Sequence, residues 1–306
     1  MKAITDDQAA ELSPLEIRAR ARQLADHAID RQRASFNNWF ISGDFSKPYR
    51  TYDVSYSLKE LEVFYGLYSD GLIFRDYMPV YWSPSTKTAL AEAELQYNSE
   101  HVSKAAYIKY EIVNPGDSLG ASTYAMIWTT TPWTLLANEG IAYSDSIDYS
   151  LVSFTPESGE HFLVATELIP TLQTKIPNCK LTVKRSGISG TELSSLRYRD
   201  PLTGTEKRLL PSGHVTLNKG GTGLVHVSPN HGFEDYKLFN GTHQYRKESI
   251  VDHLPQLLLP QPYDPILITS GDNLASSLVL EKILPQSVVH AEDHKHLYPY
   301  DWRSGK

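Results

Sequence analysis

The 306-residue chain has one cysteine, Cys179, so it can build neither an intramolecular disulfide framework nor a Cys₂ or Cys₄ metal site. That usage suits a reducing compartment. Long apolar runs are missing too. The greasiest stretch, 254–268, is interrupted by Pro255, Pro260, Pro262 and Pro265, well short of the roughly 20 apolar residues of a membrane helix. No membrane partner is therefore expected. An excess of positive charge is likewise lacking: 36 acids against 29 Lys and Arg leave −7, which argues against a generic nucleic-acid binder. The first residues, MKAITDDQAAELSP, carry two adjacent aspartates and no apolar core, unlike a signal or transit peptide. What remains is an ordinary globular composition, 41% hydrophobic and 21% charged, long enough for about two domains.

Helical signals dominate the first eighty residues. Ser13-Pro14-Leu15-Glu16 reads as a capping box with proline at the first helical position. Leu15, Ala19, Leu24, Ala28, Ile29, Phe36 and Phe40 follow at mostly helical spacing, and Gly43-Asp44 with Pro48 close the element. A second amphipathic stretch, Leu58-Leu61-Phe64-Tyr65-Tyr68, ends near Gly71. From about residue 105 the pattern turns to strands at 105–113, 122–130, 147–154, 161–168 and 179–185, separated by Gly, Pro, Asn and Asp. The fold expected is mixed α/β, a barrel-like β-rich domain with surrounding helices behind a helical segment. The proline-rich passage after residue 250 has no assignable period.

Two polar clusters stand out. In Thr129-Thr130-Thr131-Pro132-Trp133-Thr134, Pro132 forces Thr131 extended and suits the first turn of a helix. Thr131 is thus a candidate N-cap, with free N–H groups beyond it for an oxyanion or a water. The same residues also read as a threonine-rich strand before a routine capped helix. The second cluster runs from Gly220-Gly221-Thr222-Gly223 through His226 and His231 to Asp235. Its glycines allow close backbone approach to a ligand, yet their spacing is not that of a P-loop. The His-x₄-His-x₃-Asp interval matches no standard metal-ligand spacing, so no metal is expected. A Gly-rich turn around a core histidine is the plainer alternative. Residues 174–210 hold eight basic side chains against three acids, a candidate phosphate-backbone face or simply a solvated one. Asp293-His294-Lys295-His296 reads as solvated surface.

Taken together, the clusters carry a family resemblance. TTTPWTLLAN (129–138) closely resembles the threonine-rich editing peptide of isoleucyl-tRNA synthetases, and GTGLVHVSPNHGFEDY (221–236) is similar to the same family's GTGxVHxAPxHGxxDY segment. PVYWSPSTKTALAEAELQY (79–97) looks like the run into the editing insertion, in wording nearer the bacterial and organellar branch. Residues 13–49 resemble catalytic-core sequence just before it, and HLYPYDWRSGK the strand re-entering that core. Leu136, Ser228 and Asn230 depart from the family's usual proline, alanine and glycine, and the aminoacylation signatures HIGH and KMSKS are absent from the chain.

The resemblance implies an editing fragment with residues 1–78 as a core-derived helical segment, 79–290 as the editing (CP1) domain and 291–306 as the returning strand. It implies hydrolysis of valine mischarged on tRNA(Ile), with Thr131, Thr134, His226 and Asp235 as catalytic residues. Thr129, Thr130, Trp133, Leu135, Asn138, Gly223, Val225, Val227, Ser228 and His231 are then the substrate-binding set. Asp235 would anchor the α-ammonium, the threonine hydroxyls would hold water and the terminal ribose, and His226 with Trp133 would shape a small pocket. No cofactor is implied for editing, since ATP and Mg serve aminoacylation in the full-length enzyme. The implied partners are the acceptor end of tRNA(Ile) and the rest of the synthetase in cis. The implied location is the mitochondrial matrix, or the cytoplasm for a bacterial source. A module that binds the acceptor end but has lost hydrolysis is the competing expectation.

Overall fold

The computed structural model describes residues 12–155, 158–177, 179–218, 220–240, 256–260, 266–267 and 273–305. The chain forms two compact units, Met1–Asp76 and Tyr77–Lys306.

The first unit is helical. α1 (Pro14–Asn38) starts at the expected capping box: Glu16 N–H donates to Ser13 Oγ at 3.4 Å, and the Glu16 carboxylate accepts Ser13 N–H at 2.8 Å. It ends two residues before Phe40 in a Schellman closure. Ile41 N–H reaches Phe36 O and Phe40 N–H reaches Asn37 O, with Phe40 itself at φ 53° where glycine is usual. α2 (Val54–Ser69) closes the same way, and there the left-handed residue is Gly71, φ 72°. Neither helix contains a buried residue, and Leu58, Leu61, Phe64 and Tyr65 stay more than half exposed.

The second unit is built on strands. β1 (Tyr81–Ser83) and β2 (Thr88–Leu90) form a hairpin. A six-stranded sheet and a four-stranded sheet follow. β3 (Leu95–Glu111), β4 (Thr123–Thr129), β6 (Asp148–Ser153), β7 (His161–Ala165) and β8 (Thr182–Ser189) belong to the first, and β5 (Gly140–Tyr143), β9 (Arg197–Arg199), β10 (Glu206–Pro211) and β11 (Val225–Val227) to the second. β12 (Gln256–Leu257) and β13 (Ile266–Leu267) pair with each other, and β14 (Val288–Asp301) completes the large sheet in the order β14-β3-β4-β7-β6-β8. Besides a single helical turn at Gly116–Leu119, α3 (Ile169–Lys175), α4 (Phe233–Asn240) and α5 (Asn273–Leu278) lie between strands in the chain. The mixed α/β, β-rich fold is as expected. Among the described residues both sheets are open, with edges at β14, β8, β11 and β9, and neither closes into a barrel.

Period-2 alternation puts Ile108, Tyr110, Ile127 and Leu163 into one buried cluster and Tyr107, Met126, Val152 and Phe162 into another, on the opposite face beside Leu172 and Ile176 of the α3 region. Burial on both faces makes these strands read as near-continuous apolar runs. The expected first strand began at 105, whereas β3 begins at Leu95. The additional residues pair with β14, Tyr300 opposite Gln96 and His296 opposite His101. That pairing also alters the tail expected to be solvated. Asp293 and Lys295 are exposed, while His294 and His296 are half-buried against Trp128 and His101. Asp301 ends β14 by accepting from Ser83 Oγ at 2.7 Å and Thr86 Oγ1 at 2.8 Å, tying the hairpin to the sheet. The proline-rich passage after 250 lies largely outside the described residues.

Candidate active site

Cross-strand pairing, not proximity in the chain, assembles the site. β4 delivers Thr129 at its end, and the chain turns through Thr130–Asn138 into β5. β11 pairs antiparallel with β5, setting His226 opposite Ile141 and Val227 opposite Gly140. The second motif is thereby laid beside the first. Between them is a cavity of about 340 Å³.

The expected capped helix after Thr131 is a six-residue 3₁₀ helix, Pro132–Ala137, and the Thr131 side chain caps nothing. Instead Thr131 N–H donates to Thr129 Oγ1 at 3.1 Å, and the Thr131 carbonyl accepts both Thr134 N–H, at 2.9 Å, and Thr134 Oγ1, at 2.8 Å. The turn therefore consumes donors that a longer helix would have left open.

The glycine loop is held from behind. Ala165 N–H donates to Thr222 O at 2.7 Å and Tyr149 OH to Gly223 O at 2.9 Å. Gly223 sits at φ +79°, where a Cβ would lie 2.3 Å from the Ala165 Cβ. Gly223→Ala is expected to cost about 2–5 kcal/mol from backbone strain and overpacking together. A drop in the thermal unfolding midpoint measures it; an unchanged midpoint would show that the loop can shift.

Asp235, in the first turn of α4, accepts Ser228 N–H on Oδ2 at 2.8 Å. Gly232 makes room, since a Cβ there would stand 2.9 Å from that oxygen. Burial pushes the Asp235 carboxyl above its ordinary range and nearby Glu234 pushes the same way, against the lowering pull of Ser228 N–H and of His214. Burial likewise lowers His226 and His231 to about 4 each, so both are neutral at physiological pH.

Ten of the expected residues line the cavity: Thr129, Thr130, Thr131, Thr134, Gly223, Val225, His226, Ser228, His231 and Asp235. Four do not. Leu135 of the 3₁₀ segment and Val227 at the end of β11 point into the core, 2% and 0% exposed. Trp133 lies behind His231, edge-on at 5.0 Å between centroids. Asn138 is buried behind His226. The side chain at position 228, a departure from the family pattern, leaves the Asp235 hydrogen bond intact because the backbone N–H makes it. Lining residues that sequence reasoning missed include Trp128, His214, Thr216 and Thr222. Trp128 directly precedes the threonine motif and Thr222 is inside the glycine motif, so adjacency was an available signal for both. His214 and Thr216 arrive on the loop after β10, and nothing local marks them.

The basic stretch is less open than its charge count implies. Lys175 pairs with Glu292, Arg185 with Glu192, Arg199 with Glu111 and Lys207 with Asp200. Among the described residues no group of three or more His, Cys, Asp or Glu could hold a metal ion, and no helix is long and apolar enough to cross a membrane.

The two buried histidines fix a sign for acid stability. Their folded pKa values are below the unfolded 6.5, so they favour folding above 6.5 and that contribution is lost as pH falls towards 4. At about 1.4 kcal/mol per pH unit for each, roughly 2 kcal/mol per histidine should vanish between pH 7 and 5. Urea unfolding at the two pH values should show His226→Gln losing less stability than the parent; equal losses would mean His226 titrates normally.

Residues 1–256 match the family model for class I tRNA synthetases (I, L, M and V), and the chain belongs to that family. Its relatives are isoleucine–tRNA ligases. The mitochondrial enzyme of Gallus gallus is 37% identical over 317 residues, covering 100% of this chain and 31% of its own length. The mitochondrial enzyme of Saccharomyces cerevisiae is 37% identical over 332 residues, 100% of this chain and 32% of its own. The enzyme of Thermosynechococcus vestitus is 32% identical over 318 residues, again 100% and 32%. The chain thus spans about a third of the length of these relatives. Among solved structures, the P. falciparum cytosolic leucyl-tRNA synthetase editing domain aligns at TM-score 0.36 and 12% identity, covering 44% of this chain and 63% of that one. The P. knowlesi counterpart aligns at TM-score 0.35 and 14% identity, covering 45% and 62%.

Proposed function

We propose that this chain is the hydrolytic editing region of an isoleucine–tRNA ligase and cleaves the ester of valine mischarged on tRNA(Ile). The supporting observation is the cavity, in which the threonine turn, a neutral His226 and the Asp235 carboxylate meet. An isoleucine pocket rejects valine by only about 1–3 kcal/mol, since one methylene is all that differs. A second, smaller pocket that hydrolyses whatever fits is the remedy.

Water attacks the ester carbonyl carbon, the bond from that carbon to the ribose oxygen breaks, and the proton passes to the ribose. Asp235 holds the α-ammonium. Thr129, Thr130, Thr131 and Thr134 surround the water and the terminal ribose, and His226 closes the wall against isoleucine. A ribose hydroxyl of the substrate assists the attack. The step needs no cofactor; ATP and Mg belong to aminoacylation elsewhere in a full-length ligase. In this reading residues 1–78 are a core-derived segment, 79–290 the editing domain and 291–306 the returning strand. The partners are the acceptor end of tRNA(Ile) and the remaining synthetase in cis, and the setting is the mitochondrial matrix, or the cytoplasm if the source is bacterial.

The test is deacylation of valyl- and isoleucyl-tRNA(Ile) by the chain and by the intact ligase. Hydrolysis of the valyl ester alone is expected. Tight acceptor-end binding without hydrolysis of either, in both proteins, would replace this reading with a binding module.

A further inference from the structure

Asn138 belongs to the threonine motif but does not reach the cavity. It is 2% exposed, and its carboxamide is surrounded by three groups. Nδ2 donates to the Gly140 carbonyl at 3.0 Å and lies 2.8 Å from His226 Nδ1, while Oδ1 accepts Tyr198 OH at 2.5 Å. Tyr198 is itself 0% exposed and packed edge-on against Tyr110 at 5.2 Å. Because a carbonyl oxygen only accepts, the amide nitrogen must face Gly140; a flipped amide would set two oxygens against each other. The second Nδ2 proton then points at His226 Nδ1, which must offer a lone pair.

The far side of the ring agrees independently. His226 Nε2 is 3.2 Å from the Thr134 carbonyl oxygen, another obligate acceptor, and 3.2 Å from Thr134 Oγ1. That hydroxyl's own proton is directed to the Thr131 carbonyl at 2.8 Å, so its oxygen also accepts. Nε2 therefore carries the hydrogen. The bond made at one ring nitrogen decides which nitrogen is protonated, and here two carbonyls, Gly140 and Thr134, fix the pattern from opposite ends. Lys207 donates to the Asn138 carbonyl and pairs with Asp200 at 2.6 Å, anchoring the backbone under the amide.

We propose that Asn138 is a positioning residue that locks His226 as its neutral Nε2–H tautomer, so that His226 shapes the cavity and does not take a proton from water. Both ring nitrogens are committed to protein partners. Burial, which lowers the imidazole to about 4, acts in the same direction. The tautomer stands on the hydrogen bonds alone; only its meaning for hydrolysis rests on the editing reading above.

The test uses the whole 306-residue chain labelled with [15N]histidine. Long-range 1H–15N spectra at pH 7, with His226 assigned by its loss in His226→Gln, should show Nδ1 at the shift of a bare nitrogen and Nε2 at that of a protonated one. Asn138→Asp removes the donor and places an acceptor beside Nδ1, so Nδ1 should become protonated and valyl-tRNA deacylation should fall at least tenfold. Tyr198→Phe should keep the parent pattern, because Gly140 still orients the amide. A protonated Nδ1 in the parent protein overturns the proposal whether or not any variant folds. An Asn138→Asp protein with the parent pattern overturns the role of Asn138. Absence of deacylation in the parent, with the expected tautomer present, would instead defeat the editing reading and leave the tautomer lock standing.

Discussion

Asp235→Asn is expected to lower valyl-tRNA deacylation about ten- to a hundredfold while leaving folding stability unchanged or raised. Asparagine keeps the shape and can accept Ser228 N–H, but it cannot pair with an ammonium. A charge-assisted contact in a half-buried pocket is worth about 1.5–3 kcal/mol, which corresponds to roughly one to two decades in rate before any loss of alignment. The stability direction follows from linkage. Burial raises the folded pKa of Asp235, so its favourable contribution is present at low pH and is lost as pH rises through that value. At neutral pH the ionised carboxylate is a cost that the amide removes. Deacylation within a few-fold of the parent would reassign the anchor, and a markedly less stable variant would mean the carboxylate serves the fold.

The second large effect is a change of selectivity. His226→Ala should raise hydrolysis of correctly charged isoleucyl-tRNA(Ile) by about 10–100-fold, the scale on which one methylene is accepted or refused. His226 is 7% exposed, lines the cavity and contacts Thr134, so its removal opens space beside the threonine turn. Valyl-tRNA hydrolysis should fall less than isoleucyl-tRNA hydrolysis rises, because Asp235 and the other threonines remain. Paired rate measurements on the two esters decide it. Persistent rejection of isoleucine would place the wall on His231 or Trp128.

Much of the molecule was legible without coordinates, wherever the determinants are local. The capping box at Ser13–Glu16 and the turn at Gly71 depend on neighbours within a few residues, and the structure has both. The strands near 105–113, 122–130 and 147–154 announce themselves by two-sided burial. After Pro132 the structure has a short 3₁₀ helix where local signals lead one to expect a capped α-helix. Proline at the first position is compatible with any helical turn, and the chain must reach Gly140 in time to pair β5 with β11 and β10.

The sequence by itself determined the two motifs and their polar content, which follow from residue type; the tertiary contact of Gly223 with Ala165 is what requires glycine at position 223. Only the tertiary structure decided that the motifs face one cavity, because the β5–β11 register joins segments nearly ninety residues apart and a one-residue slip would turn His226 away. The fold also puts Leu135 and Val227 into the core and sets Asn138, expected to bind substrate, behind His226. It also brought in His214, from a loop with no motif of its own. The fate of the basic stretch was decided the same way: Lys175 and Arg199 meet acids 117 and 88 residues away in the chain. Charge counted along a sequence cannot reveal partners that only folding supplies.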